Sequence, residues 1–478
     1  MGQEIHDSRF SQHDFARFSQ RLTQETELLG QWFKDGHFSR RHCVAGFELE
    51  TWLVDRQIQP LADNERFLTV LADPMVSPEL SCFNVELNTP ALALQGKALS
   101  SIHHHLQQTW EHCEQVAQSL GEHMLMIGIP ANLQEKQLCL ANMSKMLRYR
   151  ALNEQVLRLR QGKPLLLDIE GEEHLHLSHQ DVMLESAATS FQLHLQVAEP
   201  YAVRFYNASL IAAAPVVAVS ANSPFAFGKD LWAETRIPLF EQAVDVGGYD
   251  GAAFGPIKRV SFGSGYARES LFELYEENLQ HYPVLLAETS ESEASHMDHV
   301  RLHNGTIWRW NRPLIGFDED GTPHLRIEHR VIPAGPSLVD AIANAAFYYG
   351  LVQYLATADE APESRLAFAT VRDNFASAAR YGLRAHLHWL EEGYHAPIRE
   401  LILQQLLPQA EQGLIQLQLD KTEINYYLGI IRQRVDSGQN GSQWQRDFVS
   451  IHGRDWTALM QAYYRQQQQQ SPVHLWEL

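Results

Sequence analysis

The chain has 478 residues, 45% of them hydrophobic and 20% charged, with a formal net charge of −20. Such a balance builds a large globular core, and the negative charge argues against sequence-independent binding to a nucleic-acid backbone. It leaves room for an anionic substrate, because arginines or a bound metal can reverse the field inside a cleft.

The four cysteines, Cys43, Cys82, Cys113 and Cys139, form no CxxC pair and read as thiols in a reducing compartment. Met1–Arg21 is polar throughout, without the pattern of a secretion signal. The most apolar run, Leu210–Val219, falls short of the ~20 residues of a membrane span. A cytoplasmic protein without membrane contact is therefore expected.

In chain order, Phe15, Phe18, Leu22, Leu28 and Leu29 predict an amphipathic helix ahead of the first strand. From residue 45 to about 335 period-two strands mix with helices, predicted over Ala98–Leu120, Ser144–Gln161 and Asp230–Val244, the last of these capped by Asp230. The Gly/Ser-rich stretches 245–256 and 261–270 read as loops, either mobile or covering a ligand. Beyond residue 335 the pattern turns helical, over Ser337–Thr357, Glu363–Leu390, Pro397–Leu417 and Lys421–Asp436, and the glutamine run 466–470 reads as a frayed end. The expected organisation is a helical segment (1–44), a sheet-and-helix core (45–335) and a helical region (336–478) that either covers the back of the sheet or forms a subunit contact in a homo-oligomer. Strands and helices do not alternate regularly, which favours an α+β fold with an antiparallel sheet.

Four strands share one oddity. In "GFELETWL" (46–53), Phe47 and Leu49 take one face while Glu48 and Glu50 share the other, where like charges repel. Asn84, Glu86 and Asn88 oppose Val85 and Leu87. Gln192, His194 and Gln196 oppose Phe191, Leu193, Leu195 and Val197. Arg326, Glu328 and Arg330 oppose Leu325, Ile327 and Val331. These faces carry glutamates, one histidine, amides and arginines but no lysine. Either they form an ordinary solvated sheet face, or they line a site for a hard cation such as Mg²⁺ or Mn²⁺, whose charge would offset the repulsion. Zinc is disfavoured because no HxxxH or HExxH pair occurs, and "SIHHHL" (101–106) reads as a surface feature.

Arg236, beside Glu234 on a predicted helix, is either half of a surface ion pair or a fork aimed at a carboxylate or phosphate. "NGTIWRWNRP" (304–313) predicts a strand with Trp308, Trp310 and Arg312 on one side. That is either core packing or an aromatic wall beside a cation, suited to an amino acid or a nucleotide. No Walker A spacing is present, so a nucleotide would have to be held through metal ions and arginines.

Taken in order, "GFELE", "VELNTP", "TSFQLHLQ", "SANSPF…ETRI…FEQ", "WRWNRP" and "RIEHR" resemble the glutamate–cysteine ligase family 2, carboxylate–amine ligases related to glutamine synthetase, from about Ala45 to Leu351. The resemblance implies a glutamine synthetase-like curved antiparallel sheet whose concave face binds Mg²⁺ (or Mn²⁺), ATP and an amino-acid substrate, with helices packed on the other side. It implies ATP-dependent amide formation, with glutamate and cysteine as the leading substrate pair. Glu48, Glu50, Glu86, His194 and Glu328 match the family's metal and phosphate ligands. Arg236 and Arg330 match basic residues at the transferred phosphoryl group and the substrate carboxylate, and Arg150 is a weaker match to another arginine of the site. Two alternatives stay open: a ligase of the same family with a different acid or amine, and a metal-dependent small-molecule phosphotransferase. The chain departs from the family at Val331-Ile332-Pro333, where many members carry an aspartate, and at Asn84 and Asn88, which flank Glu86.

Overall fold

In the computed structural model, which describes residues 4–246, 258–390 and 395–478, the glutamate-bearing segment becomes the spine of the protein. It is the eleven-residue strand β1 (Val44–Val54) of an eight-stranded sheet completed by β2 (Val76–Pro78), β3 (Asn84–Asn88), β4 (Leu92–Ala93), β5 (His123–Leu125), β6 (Phe191–Val197), β7 (Asn311–Phe317) and β8 (Pro323–His329). The order is β7-β8-β6-β1-β3-β2, with β4 and β5 each pairing β1 off that path. Every pairing is antiparallel. β1 exchanges partners along its length: β6 over Val44–Leu49, β3 over Glu48–Trp52, β4 and β5 at its two ends. Four partners on one twisted strand curl the sheet, giving an α+β architecture with a curved antiparallel sheet and a helical C-terminal region.

The apolar face of the sheet explains the strand pattern. Phe47, Leu49, Leu193, Leu195, Leu325 and Ile327 join one buried cluster with the helices Ala202–Ser220 and Leu338–Ala356. Phe47 stacks on Tyr349 at 6.1 Å, and the Tyr349 hydroxyl donates to the His194 carbonyl at 3.0 Å, so this helix grips the strand behind the polar face. Leu210–Val219 lies within the span Glu199–Ser220, long and apolar enough to cross a membrane, but 89% of that span's most apolar 18-residue window is buried inside the protein. Its alanines and valines face neighbours on all sides, as a core helix requires.

The N-terminal helix forms over Gln12–Asp35, opened by a Ser11–Asp14 capping box and closed by Gly36 in the left-handed region. Several boundaries differ from the sequence pattern. The Ser144–Gln161 helix is Leu147–Leu159, and the Asp230–Val244 helix shrinks to Arg236–Ala243. Asp230 does not cap it. Lys229–Asp230 pairs with Phe225–Ala226, and the Asp230 carboxylate takes Arg446 Nε at 3.0 Å and Nη2 at 2.7 Å. The expected strand over 304–313 breaks into the end of helix Asp298–Gly305, a bridge at Trp308–Arg309 and the start of β7. Glu363–Leu390 is helical over Phe368–Tyr381 and ends in a hairpin strand, His386–His388. Most of the predicted loop 245–256 lies outside the described residues. The glutamine run is not frayed. Gln467 is fully buried, donates to the carbonyls of Met126 (2.7 Å) and Pro336 (2.6 Å) and accepts from Met126 N at 3.0 Å.

Candidate active site

Sheet register decides which polar side chains meet. His194 lies opposite Glu328 across β6 and β8, and Glu48, on the next strand, is diagonal to His194. Glu50 lies opposite Glu86 across β1 and β3. The result is two triads, Glu48/His194/Glu328 and Glu50/Glu79/Glu86, each offering ligand atoms within 4.8 Å of one another. His194 Nε2 stands 3.1 Å from Glu48 Oε1. The third member of the second triad, Glu79, was not singled out from the sequence. It follows the short strand β2, outside any alternating run, and comes into place because Ser77 pairs with Glu86.

The triads differ in charge balance. Arg312 donates through Nε (2.8 Å) and Nη2 (3.0 Å) to both oxygens of Glu328, and Arg330 Nη1 reaches the same carboxylate at 3.1 Å. Burial alone would raise the Glu328 carboxyl, but Arg312 and Arg330 outweigh it and hold it down at about 2. Among the described residues the second triad has the weaker cationic support. Glu50 is pushed up to about 7 by burial and by Glu86, despite Arg330, and Glu79 reaches about 7 through burial and Glu50. Burial, Glu48 and Glu79 raise the Glu86 carboxyl well above its ordinary value. Three carboxylates that resist ionising together, on a face of oxygen donors, fit a divalent cation as the missing partner.

Beside the triads, a small cavity is lined by Glu50, Glu185, Ser190, Arg236, Phe240, Trp310 and Arg330, with Ala188. Arg236 is not a surface residue: it is 3% exposed and donates through Nε to Thr189 O (2.9 Å) and through Nη2 to Arg330 O (3.0 Å) and Ile332 O (3.2 Å). Glu234, also fully buried, braces the preceding turn by accepting from Asn222 N at 2.8 Å and Ser223 Oγ at 2.5 Å. Ile332 supplies one of the carbonyls that hold Arg236.

A sequence profile described as glutamate-cysteine ligase family 2 matches residues 44–472. The chain belongs to this family. The fold of this ligase-family chain is similar to that of the glutamate–cysteine ligase (gshA) of Francisella tularensis in complex with AMP, at 13% identity and a TM-score of 0.58, over 91% of this chain and 90% of that one. It is also similar to the bifunctional glutathione synthetase of Pasteurella multocida, at 13% identity and a TM-score of 0.50, covering 92% of this chain but 54% of that longer one. No curated protein matches the chain by sequence.

Three candidates sit differently from their sequence reading. Arg150 is exposed on helix Leu147–Leu159. Arg148, two residues earlier and so nearly on the opposite side of the helix, is the arginine whose charge acts on Glu79 and Glu185. Its Nη2 donates to the Tyr149 hydroxyl at 2.6 Å. Trp308 is half-buried, edge-on to Phe240 at 6.2 Å, whereas Trp310 lines the cavity. Arg312 is committed to Glu328 rather than to open space. The bend at Trp310 is the cause: Trp308 belongs to the two-residue strand Trp308–Arg309, whereas Trp310 sits between that strand and β7 rather than on one alternating strand with Trp308.

Proposed function

We infer that the protein is an ATP- and Mg²⁺-dependent carboxylate–amine ligase, with glutamate and cysteine as the leading substrate pair and γ-glutamylcysteine as the product. One observation carries the reading: in a member of this family, the acids and the histidine of a single sheet face resolve into two donor triads beside an arginine-lined cavity. Glu48, His194 and Glu328 would hold one divalent ion, and Glu50, Glu79 and Glu86 a second. The all-oxygen donor set of the second triad suits Mg²⁺ or Mn²⁺. Such ions, when bound, neutralise the phosphates of ATP together with the surplus carboxylate charge.

The chain's own residues supply orientation and fixed positive charge. Arg312 presets Glu328 through its two-point contact. Arg330, tethered to Gln192 and Glu328, presents its guanidinium to the cavity, where it would stabilise negative charge on the transferring phosphoryl group. Arg236 Nη1 is buried without an acceptor and suits a substrate carboxylate. In the reaction, a carboxylate oxygen attacks the γ-phosphorus of ATP and ADP leaves, giving an acyl phosphate. The amine then attacks the acyl carbon and phosphate departs, so no enzyme nucleophile is required. The likeness in fold to an AMP-bound ligase supports nucleotide use.

The test is phosphate release from ATP and Mg²⁺ with glutamate held constant across a panel of amino acids and amines. Release is expected only when acid and amine are both present, and Glu328→Gln should lower it at least 100-fold in a folded protein. Unchanged turnover in that variant would refute the metal assignment.

A further inference from the structure

The cavity beside the triads contains an acid that neither triad uses. Glu185 stands on the 3₁₀ turn Val182–Ala187, which Asp181 opens by accepting from Met183 N at 3.0 Å. It lines the cavity, lies outside both donor triads, and its carboxylate makes no hydrogen bond or ion pair with any described residue. Burial and the charge of Glu50 raise its carboxyl to about 7, against the pull of Arg330 and Arg148. Arg236, on the same cavity, spends Nε and Nη2 on backbone carbonyls and leaves Nη1 unmet. The Trp310 ring adds an apolar wall, because its Nε1 is taken by Glu241 at 3.0 Å, and Phe240 packs edge-on to it at 5.8 Å.

One cavity thus presents an unmet cationic donor, an unmet anionic acceptor and an aromatic wall. Arg236 Nη1 is buried and unsatisfied, which is costly, and a metal ion or a phosphate would satisfy just one of the two groups. An α-amino acid satisfies both, since its ammonium and carboxylate sit on one carbon. We propose that Glu185 is the ammonium-binding residue of an α-amino-acid subsite, with Arg236 Nη1 taking the carboxylate. This rests on the ligase reading and adds to it the residue that selects for a charged amino group. The ammonium can come from the acid substrate or from the amine substrate, and the probes below separate these sources.

The experiment is calorimetric titration of the full chain at pH 8 with Mg²⁺ and a non-hydrolysable ATP analogue. Two probe pairs differ in the ammonium: L-glutamate against glutarate, and L-cysteine against 3-mercaptopropionate. Wild type should bind the ammonium-bearing member of at least one pair roughly tenfold more tightly, the scale of one charge-assisted hydrogen bond. Glu185→Gln should erase that preference and Glu185→Asp should keep it, and the responding pair identifies which substrate brings the ammonium. An equal preference in wild type and Glu185→Gln, or none in wild type, overturns the assignment. So does a Glu185→Gln variant that loses Mg²⁺-dependent thermal stabilisation with its probe preference intact, because the carboxylate then serves the metal. Phosphate release measured in parallel keeps the two readings apart: its absence with every substrate pair refutes the ligase, whereas the binding ratios alone decide the subsite.

Discussion

Replacing Glu79 with glutamine removes one negative charge from the Glu50/Glu79/Glu86 triad while keeping the shape and one acceptor oxygen. Glu50 and Glu79 are each raised from 4.5 to about 7, which at pH 8 corresponds to ~3 kcal/mol of destabilisation for each group. The charges act on one another, so the penalties overlap, and the substitution should recover roughly 2–3 kcal/mol rather than the sum. A carboxyl whose pKa is higher in the folded state destabilises the fold above that pKa, and the cost fades as pH falls from about 7 towards 4.5. Metal-free wild type should therefore gain stability between pH 8 and pH 5, and Glu79→Gln should gain less. Thermal unfolding in EDTA is the assay. At roughly 2 °C or less per kcal/mol for so long a chain, Glu79→Gln should melt a few degrees above wild type at pH 8 and level with it near pH 5. Saturating Mg²⁺ reverses the order, since an ion at 100 times its dissociation constant adds ~2.7 kcal/mol to wild type and much less to the variant. A variant that melts below wild type in EDTA at pH 8, or that Mg²⁺ stabilises equally, would refute the charge argument.

Arg312→Ala leaves Glu328 with Arg330 as its remaining arginine partner. Its carboxyl should rise from about 2, moving the acid limb of the activity profile to higher pH and raising the Mg²⁺ requirement by roughly tenfold, the usual scale for a lost partner of a metal ligand. A pH profile and a Mg²⁺ titration of phosphate release check both shifts. Gln467→Ala strips buried partners from Met126 and Pro336 and should cost ~1–3 kcal/mol by thermal or urea unfolding, where a frayed terminus would cost nothing.

Much of the site was legible in the sequence because a strand has a period of two. Alternation alone sorts Glu48 and Glu50, Glu86, His194 and Glu328 onto polar faces, and the ordered motifs identify the family. Residues off the regular strands carry no such signal. Glu79 follows a three-residue strand, Glu185 rides a 3₁₀ turn, and Arg148 and Arg150 are told apart by the phase of a helix whose start lies three residues after the position that the pattern suggests. Trp308 and Trp310 alternate in sequence, yet Trp310 sits at a bend between two short strands, and it is the ring that lines the cavity.

By itself the sequence determined that acids and a histidine share the polar faces of apolar-backed strands, since covalent geometry sends alternate side chains to opposite sides. It could not determine which of them face one another, because register and strand order arise from pairings between segments that are separated in the sequence, in the case of Glu328 and His194 by more than a hundred residues. The antiparallel match of Glu50 to Glu86 and of Glu328 to His194 turns one polar face into two separate triads. Arg312 and Arg330 both hydrogen-bond Glu328, whereas Arg330 acts on Glu50 only through its charge, and that imbalance motivates the proposed cation at the second triad.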